Sequence, residues 1–373
     1  MISFKGWPCG SRGSLITSFL TMTPTTLFKP DMRTTVVPQG RISPAVSKSV
    51  VSPFDRVRAR KLTSIEVCAG AGGQAIGLEM AGFDHVALVE IEQRFCDTLR
   101  LNRPYWNIIQ DDLNKFDGAG YEGVDLVAGG VPCPPFSKAG KQLGSEDERD
   151  LFPAALNLVR RVRPKAVMIE NVRGLLDPKF SAYRDTITSK LEVMGYVVSW
   201  KLLHAAHFGV PQLRPRTIMV ALQAPYADYF EWPIESRQKL VTVGEALYEA
   251  MSSLGWKKAA EWRHLASKVA PTLVGGSKKH GGADLGPTRA RAAWLAMGVD
   301  GRGLVESPPT PDFEGAPRLT IDMAAIIQGF PKSWKFSGKK TAVYRQIGNA
   351  FPPPVAKAVG SAIHRAITRG MQN

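Results

Sequence analysis

A chain of 373 residues has the length of about two domains. Hydrophobic residues make up 44% and charged residues 22%, which excludes wholesale disorder and leaves ample material for a core. Lys and Arg number 48 against 33 Asp and Glu, and the resulting net charge of +15 points to a polyanionic partner, nucleic acid first.

No run of about 18 apolar residues occurs, so no membrane-spanning helix is expected. Cys9, Cys68, Cys96 and Cys133 are too scattered for a disulfide framework or a C-x-x-C metal site. The expectation is free thiols in a reducing cytoplasm, with no metal.

The elements divide the chain unevenly. Residues 1–61 are rich in Ser, Thr, Pro and Arg and lack any sustained period; their ten Lys/Arg stand against Asp31 and Asp55. This stretch reads as a disordered basic extension carrying about half of the net charge. Beyond it, short apolar runs alternate with helical segments. Strands are predicted at Ser64–Cys68, His85–Val89, Val124–Ala128, Lys165–Ile169 and Arg216–Leu222, and helices at Gln74–Ala81, Gln93–Asn102, Leu151–Val162 and Arg184–Met194. Continuous apolar strands alternating with helices predict an open α/β fold with a mainly parallel sheet covered on both faces. The alternation lapses over residues 223–318, which hold a helical piece at Val243–Leu254 and a glycine-rich segment at 274–282. Helices return at Leu319–Gln328 and Pro354–Arg369, so residues 223–318 read as a smaller domain inserted between 62–222 and 319–373.

Open parallel sheets bind ligands beyond the carboxyl ends of their strands, and each predicted end here carries chemistry. The first runs into Ala69-Gly-Ala-Gly-Gly73, a turn that lets a ligand approach backbone. The second ends in Glu90, placed to accept from a ribose hydroxyl pair, and Asp112 further on can accept from an adenine amine. After the third comes Gly130-Val-Pro-Cys-Pro-Pro-Phe-Ser137, in which prolines stiffen the loop around a candidate nucleophile, Cys133. The fourth ends in Glu170-Asn-Val172, where a carboxylate at the mouth of an apolar strand is expected to have a raised pKa. Gln212-Leu-Arg-Pro-Arg216 precedes the fifth, and alternation sends Arg214 and Arg216 to one side, suited to a carboxylate or phosphate.

These residues resemble the DNA cytosine-5 methyltransferase family of bacterial restriction-modification systems. The resemblance is carried in order by Thr63–Gly73, Gly130–Ser137, Glu170-Asn-Val172, Gln212-x-Arg-x-Arg216, Arg318-Leu-Thr320, Gln328-Gly-Phe-Pro331 and Gln346-Ile-Gly-Asn-Ala350. It implies a Rossmann-like catalytic domain that uses S-adenosylmethionine, with residues 223–318 as a target-recognition domain. By this resemblance Cys133 attacks C6 of a flipped cytosine, Glu170 binds N3 and the exocyclic amine, and Arg214 and Arg216 position both. Cofactor contacts are implied for Cys68, Gly70, Gly72, Gly73, Glu90, Ile91, Asp112 and Asn349. Double-stranded DNA is the implied substrate, with contacts expected from Ser137, Gln212, Lys278, Lys279, Arg289, Arg291 and Arg318. The resemblance further implies a monomer whose cognate restriction endonuclease is a genetic rather than a bound partner.

Two positions depart from the family pattern. Glu66-Val-Cys68 stands where Asp-Leu-Phe is usual, removing a ring near the adenine that Ile91 is expected to replace. Pro134 stands where Gln usually follows the nucleophile. Two other functions compete: a tRNA cytosine-5 methyltransferase, disfavoured by the long basic insert, and an inactive DNA-binding scaffold, disfavoured by retention of Cys133, Glu170 and both arginines.

Overall fold

The computed structural model describes residues 61–132, 150–236, 239–275 and 282–372. Its frame begins with β1 (Leu62–Val67), whose apolar run stops at a left-handed turn: φ is 51° at Cys68, 56° at Gly70 and 85° at Gly72. The turn feeds α1 (Gly73–Met80) directly, with Gly72 as its N-cap. The chain continues through β2 (Phe83–Val89), α2 (Gln93–Asn102), β3 (Ile108–Ile109), β4 (Leu126–Gly129), α3 (Phe152–Val162), β5 (Ala166–Val172), α4 (Ser181–Val193), β6 (Tyr196–His204) and β7 (Pro215–Gln223).

The strands form a seven-stranded sheet in the order β3-β2-β1-β4-β5-β7-β6. Pairing is parallel from β3 to β5, while β7 runs antiparallel to both β5 and β6. The five predicted strands are all present with ends shifted by a few residues, and Gln93–Asn102 matches α2 at both ends. Two strands were not anticipated. β3 is only two residues long, and β6 is an edge strand whose mixed Val198-Ser-Trp-Lys201 text lacks the continuous apolar run of a central strand.

Alternation within the strands builds two packed faces. On β7, Met219 and Ala221 join α3 and α4, while Ile218, Val220 and Leu222 join the face covered by α11 (Pro353–Gly370). Glycine lets α1 and α11 approach closely: a Cβ at Gly77 would lie 2.5 Å from both Ala356 Cβ and the Pro353 carbonyl oxygen. The short α5 (Ala224–Ala227) and the aromatic residues up to Trp232 pack against this same α11 face.

After it come α6 (Val243–Ser252), α7 (Ala259–Leu265), α8 (Thr288–Leu295), α9 (Ile321–Gln328) and α10 (Lys340–Asn349). A capping box starts α6: Thr242 Oγ1 accepts the Glu245 N–H, and Glu245 Oε2 accepts the Thr242 N–H. Trp256, Trp262 and Trp294 share one hydrophobic cluster with Tyr344 and Ile347 of α10, with Trp334, and with Leu99 of α2. Residues 239–318 therefore do not enclose a separate core; their apolar side chains are buried jointly with the segments that follow. Among the described residues, no helix is long and apolar enough to cross a membrane.

Candidate active site

The carboxyl ends of β1, β2, β4 and β5 converge on one cleft of about 320 Å³, within the usual range for small-molecule sites. It lies where the strand order turns back on either side of β1 and β4, the expected ligand position in an open α/β sheet.

Glu90 forms its second wall. The carboxylate is almost fully buried and accepts the Gly70 N–H at 2.7 Å through Oε2 and the Glu92 N–H at 2.8 Å through Oε1. Burial pushes its pKa up, and the two backbone N–H groups pull it back. Each oxygen keeps a lone pair for a ligand hydroxyl. Asp112 and Ile91 line the same cleft, Ile91 with 60% of its surface exposed. Asn349 lines the cleft as well.

Among the expected cofactor contacts, Cys68, Gly70 and Gly73 also reach the cleft, but Gly72 does not line it. A Cβ on Gly72 would meet Leu99 Cδ2 at 2.8 Å and Trp334 Cζ2 at 2.9 Å, so this glycine serves the turn and the core behind it. The Cys68 thiol is pushed up to about 12 by burial first and then by Glu90, Asp112 and Glu66, which keeps it a neutral lining group.

Where β5 meets β7, Glu170 Oε1 stands 2.7 Å from Arg216 Nε, with side-chain exposures of 11% and 13%. The reversed direction of β7 creates this pair: its amino end lies beside the carboxyl end of β5, with Arg216 opposite Val172. A carboxylate that the strand end alone would leave isolated is thus matched by a buried cation. Gly130 makes room for it, since a Cβ there would sit 3.1 Å from Glu170 Oε2. Asn171 Nδ2 donates to the Val131 carbonyl at 2.9 Å, tying β5 to the start of the cysteine loop. Leu151 N–H donates to the Pro132 carbonyl at 3.2 Å, and both residues line the cleft. Cys133 follows Pro132 in the chain; Cys133, Ser137, Lys278 and Lys279 lie outside the described residues.

Gln212 and Arg214 depart from expectation. Both are fully buried. Arg214 donates to backbone carbonyls instead of meeting a carboxylate or phosphate, and Gln212 is bonded to Gln328 and Leu273 instead of facing outward. Neither side chain reaches the surface. Arg318 pairs with Asp300 at 2.8 Å, and Asp300 also holds Arg302. Arg289 is exposed and Arg291 half-buried on α8.

Sequence reasoning missed Glu66, Gln74 and Gln346, all of which line the cleft. Glu66 Oε2 and both polar atoms of the Gln74 carboxamide are buried without a hydrogen-bond partner. Unsatisfied buried polar groups beside a cleft are what a polar ligand completes. With Glu90 and Asp112, they make the cleft fit a nucleoside-bearing, positively charged small molecule. Gln346 acts by clasping: Thr98 Oγ1 donates to its Oε1 at 2.6 Å, its Nε2 donates to the Ser337 carbonyl at 2.8 Å, and Ser337 N–H donates to Thr98 Oγ1 at 2.9 Å. This triangle joins α2 to α10 and sets the Asn349 side of the cleft. Its signal was the Gln346-Ile-Gly-Asn349 text, read only as part of a motif.

A mainly parallel sheet with this switch-point cleft defines a protein of the open α/β class that binds its ligand beyond the carboxyl ends of the strands. The chain belongs to the C-5 cytosine-specific DNA methylase family, whose sequence model matches residues 62–365, and it is a DNA methyltransferase. It is 56% identical over 312 residues to the Type II methyltransferase M.NgoMIV of Neisseria gonorrhoeae, covering 83% of this chain and 99% of that relative. It is 52% identical over 314 residues to the Type II methyltransferase M.NaeI of Lentzea aerocolonigenes, covering 83% and 76%. The fold is shared with the crystal structure of the S. pombe Dnmt2 methyltransferase, at a TM-score of 0.54 and 18% identity, over 84% of this chain and 100% of that one.

Proposed function

We propose that the chain methylates C5 of a cytosine swung out of duplex DNA, through a covalent bond between Cys133 and C6, using S-adenosylmethionine as donor. The observation that carries the reading is the Glu170–Arg216 pair at 2.7 Å, set on the rim of the same cleft as Pro132, the residue that precedes Cys133.

Cytosine C5 is a poor nucleophile, and adding a thiolate at C6 breaks the aromatic ring and splits one hard step into easier ones. Cys133 Sγ forms the bond to C6 while electron density moves toward C5 and N3. Glu170, steered by Arg216, binds the exocyclic amine and holds the proton at N3. C5 then takes the methyl group; loss of the C5 proton and cleavage of the sulfur–C6 bond restore the ring and free the thiolate. The base must leave the stack because C6 is inaccessible inside a duplex.

S-adenosylmethionine, when bound, supplies an electrophilic methyl group. Glu90 would take the ribose hydroxyls and Asp112 the adenine amine, with Ile91 over the ring and Gly70, Gly73, Glu66 and Gln74 around the methionine part. Residues 62–222 and 319–373 would carry the chemistry, and 223–318 would read DNA through Lys278, Lys279, Arg289 and Arg291. The relatives are named Type II methyltransferases, which supports a role as the modification half of a restriction system, acting on DNA in the cytoplasm by this reading.

Bisulfite sequencing of a plasmid from bacteria expressing the chain tests this reading. Protected cytosines confined to one sequence motif, and absent with Cys133→Ala, are expected. Equal protection by Cys133→Ala would refute the role of the thiol.

A further inference from the structure

Gln212, Arg214 and Gln328 are fully buried and join four stretches of chain that are separate in sequence. Gln212 Nε2 donates to the Ile327 carbonyl at 3.1 Å and to Gln328 Oε1 at 2.8 Å, while Gln212 Oε1 accepts the Leu273 N–H at 2.8 Å. Arg214 Nη1 donates to the Leu273 carbonyl at 2.9 Å, and Nη2 donates to the carbonyls of Gly348 and Ala350, both at 2.8 Å. Gln328 Nε2 adds a second bond to the Ala350 carbonyl. The backbone of Leu273 is therefore held on both its N–H and its carbonyl by side chains of one short segment.

The other acceptors identify what is held against it. Gly348 is in the last turn of α10 and Ala350 is its C-cap. Carbonyls there have no intrahelical donor, and a cation suits the negative end of the helix. Arg214 thus caps α10. The two segments also touch directly: a Cβ on Gly275 would lie 2.6 Å from both the Arg345 carbonyl and Asn349 Oδ1. Asn349 and Ala350 form a wall of the cofactor cleft, so one short backbone stretch serves as cleft wall and as seat for residues 273–275. Those residues lead into the glycine-rich, lysine-bearing text at 276–281.

A planar, five-donor guanidinium is needed to reach carbonyls on both segments at once. Its charge is buried against peptide dipoles, so its stability depends on those carbonyls staying in place.

We infer that Arg214, braced by Gln212 and Gln328, is a positioning residue that couples the cofactor cleft to the DNA-facing insert. Filling the cleft against Asn349 and Ala350 fixes the end of α10, and through Arg214 it fixes Leu273–Gly275. Cofactor and DNA then tighten each other's binding by the same factor. The inference rests on the reading that residues 223–318 face DNA.

The test uses the full chain and measures duplex DNA affinity at fixed salt, with and without S-adenosylhomocysteine. Wild type is expected to bind DNA about tenfold more tightly with it, a usual size for coupling between sites. Arg214→Lys keeps the charge but loses the fork, and Gly275→Ala drives the insert off α10; each is expected to bring the ratio below about twofold. A purely structural brace would weaken both measurements and leave the ratio unchanged, and that result would overturn the inference. Should Arg214→Lys fail to fold, Gly275→Ala decides alone. A wild-type ratio of one with DNA still bound would also overturn the coupling, whereas absence of any DNA binding would instead strike the functional reading beneath it.

Discussion

Glu170 and Arg216 face each other because both lie on the α11 side of their strands and because β7 is reversed. Their burial makes the pair indispensable. Truncating one partner of a buried ion pair leaves an uncompensated charge, at a cost of about 3–5 kcal/mol. Arg216→Met is therefore expected to lower the urea-denaturation stability by about that amount and methyl transfer by at least about a hundredfold. Adding Glu170→Gln should restore most of the stability and none of the activity; a double variant as unstable as the single one would contradict the pairing. Glu66 offers a prediction in pH. Burial raises its folded pKa well above the ordinary value of 4.5, so between that value and the folded pKa the unfolded chain binds fewer protons and stability falls as pH rises. Glu66→Gln can still accept the Ala75 N–H. Without cofactor, it should melt higher than wild type at pH 8, with the gain shrinking as pH falls toward 4.5. A gain independent of pH would assign the effect to packing instead. Glu90, Asp112 and Glu170 were legible in the sequence because strand ends announce them. The destination of Arg214 was not: alternation gives the side of a strand, but its acceptors at Leu273, Gly348 and Ala350 come from chain far away.

At the scale of elements, the cleft depends on how closely α1 and α11 approach, since α1 starts at the glycine turn and α11 follows the Asn349 wall. Gly77 sits at their contact, with backbone of α11 in the space of its missing side chain. Gly77→Ala should destabilise the protein by about 1–3 kcal/mol through overpacking, despite the better helix propensity of Ala. Calorimetry checks this, and a stabilised variant would mean that α11 yields without cost. Five of the seven strands were legible because apolar runs closed by glycine or proline report burial directly, whereas β3 is too short and β6 too mixed to show such a run. The sense of β7 was not legible, since an apolar run carries no direction. The helices α7 and α8 escaped for a related reason: their buried tryptophans are sparse along the chain and become a core only alongside Tyr344 and Ile347.

For the molecule as a whole, the net charge of +15 predicts strongly salt-dependent DNA binding. Each phosphate contact contributes about 0.9 to the slope of log affinity against log salt. Replacing Lys278 and Lys279 with Ala should make that slope shallower by about two, similarly for all sequences. An unchanged slope would remove these lysines from the interface. The lapse in α/β alternation after β7 was legible in the sequence, but the shared core of residues 239–347 was not, because composition does not tell which element a tryptophan will bury against.

The central claim is a reversible bond between Cys133 and a cytosine, and a duplex carrying 5-fluorocytosine at the methylated position tests it most directly. Fluorine cannot leave C5 as a proton does, so after methyl transfer the adduct cannot resolve. The account predicts a protein–DNA complex that survives denaturation, requires S-adenosylmethionine and is absent with Cys133→Ala. Normal methylation of the cytosine duplex, with no stable complex on the fluorinated one, would contradict it.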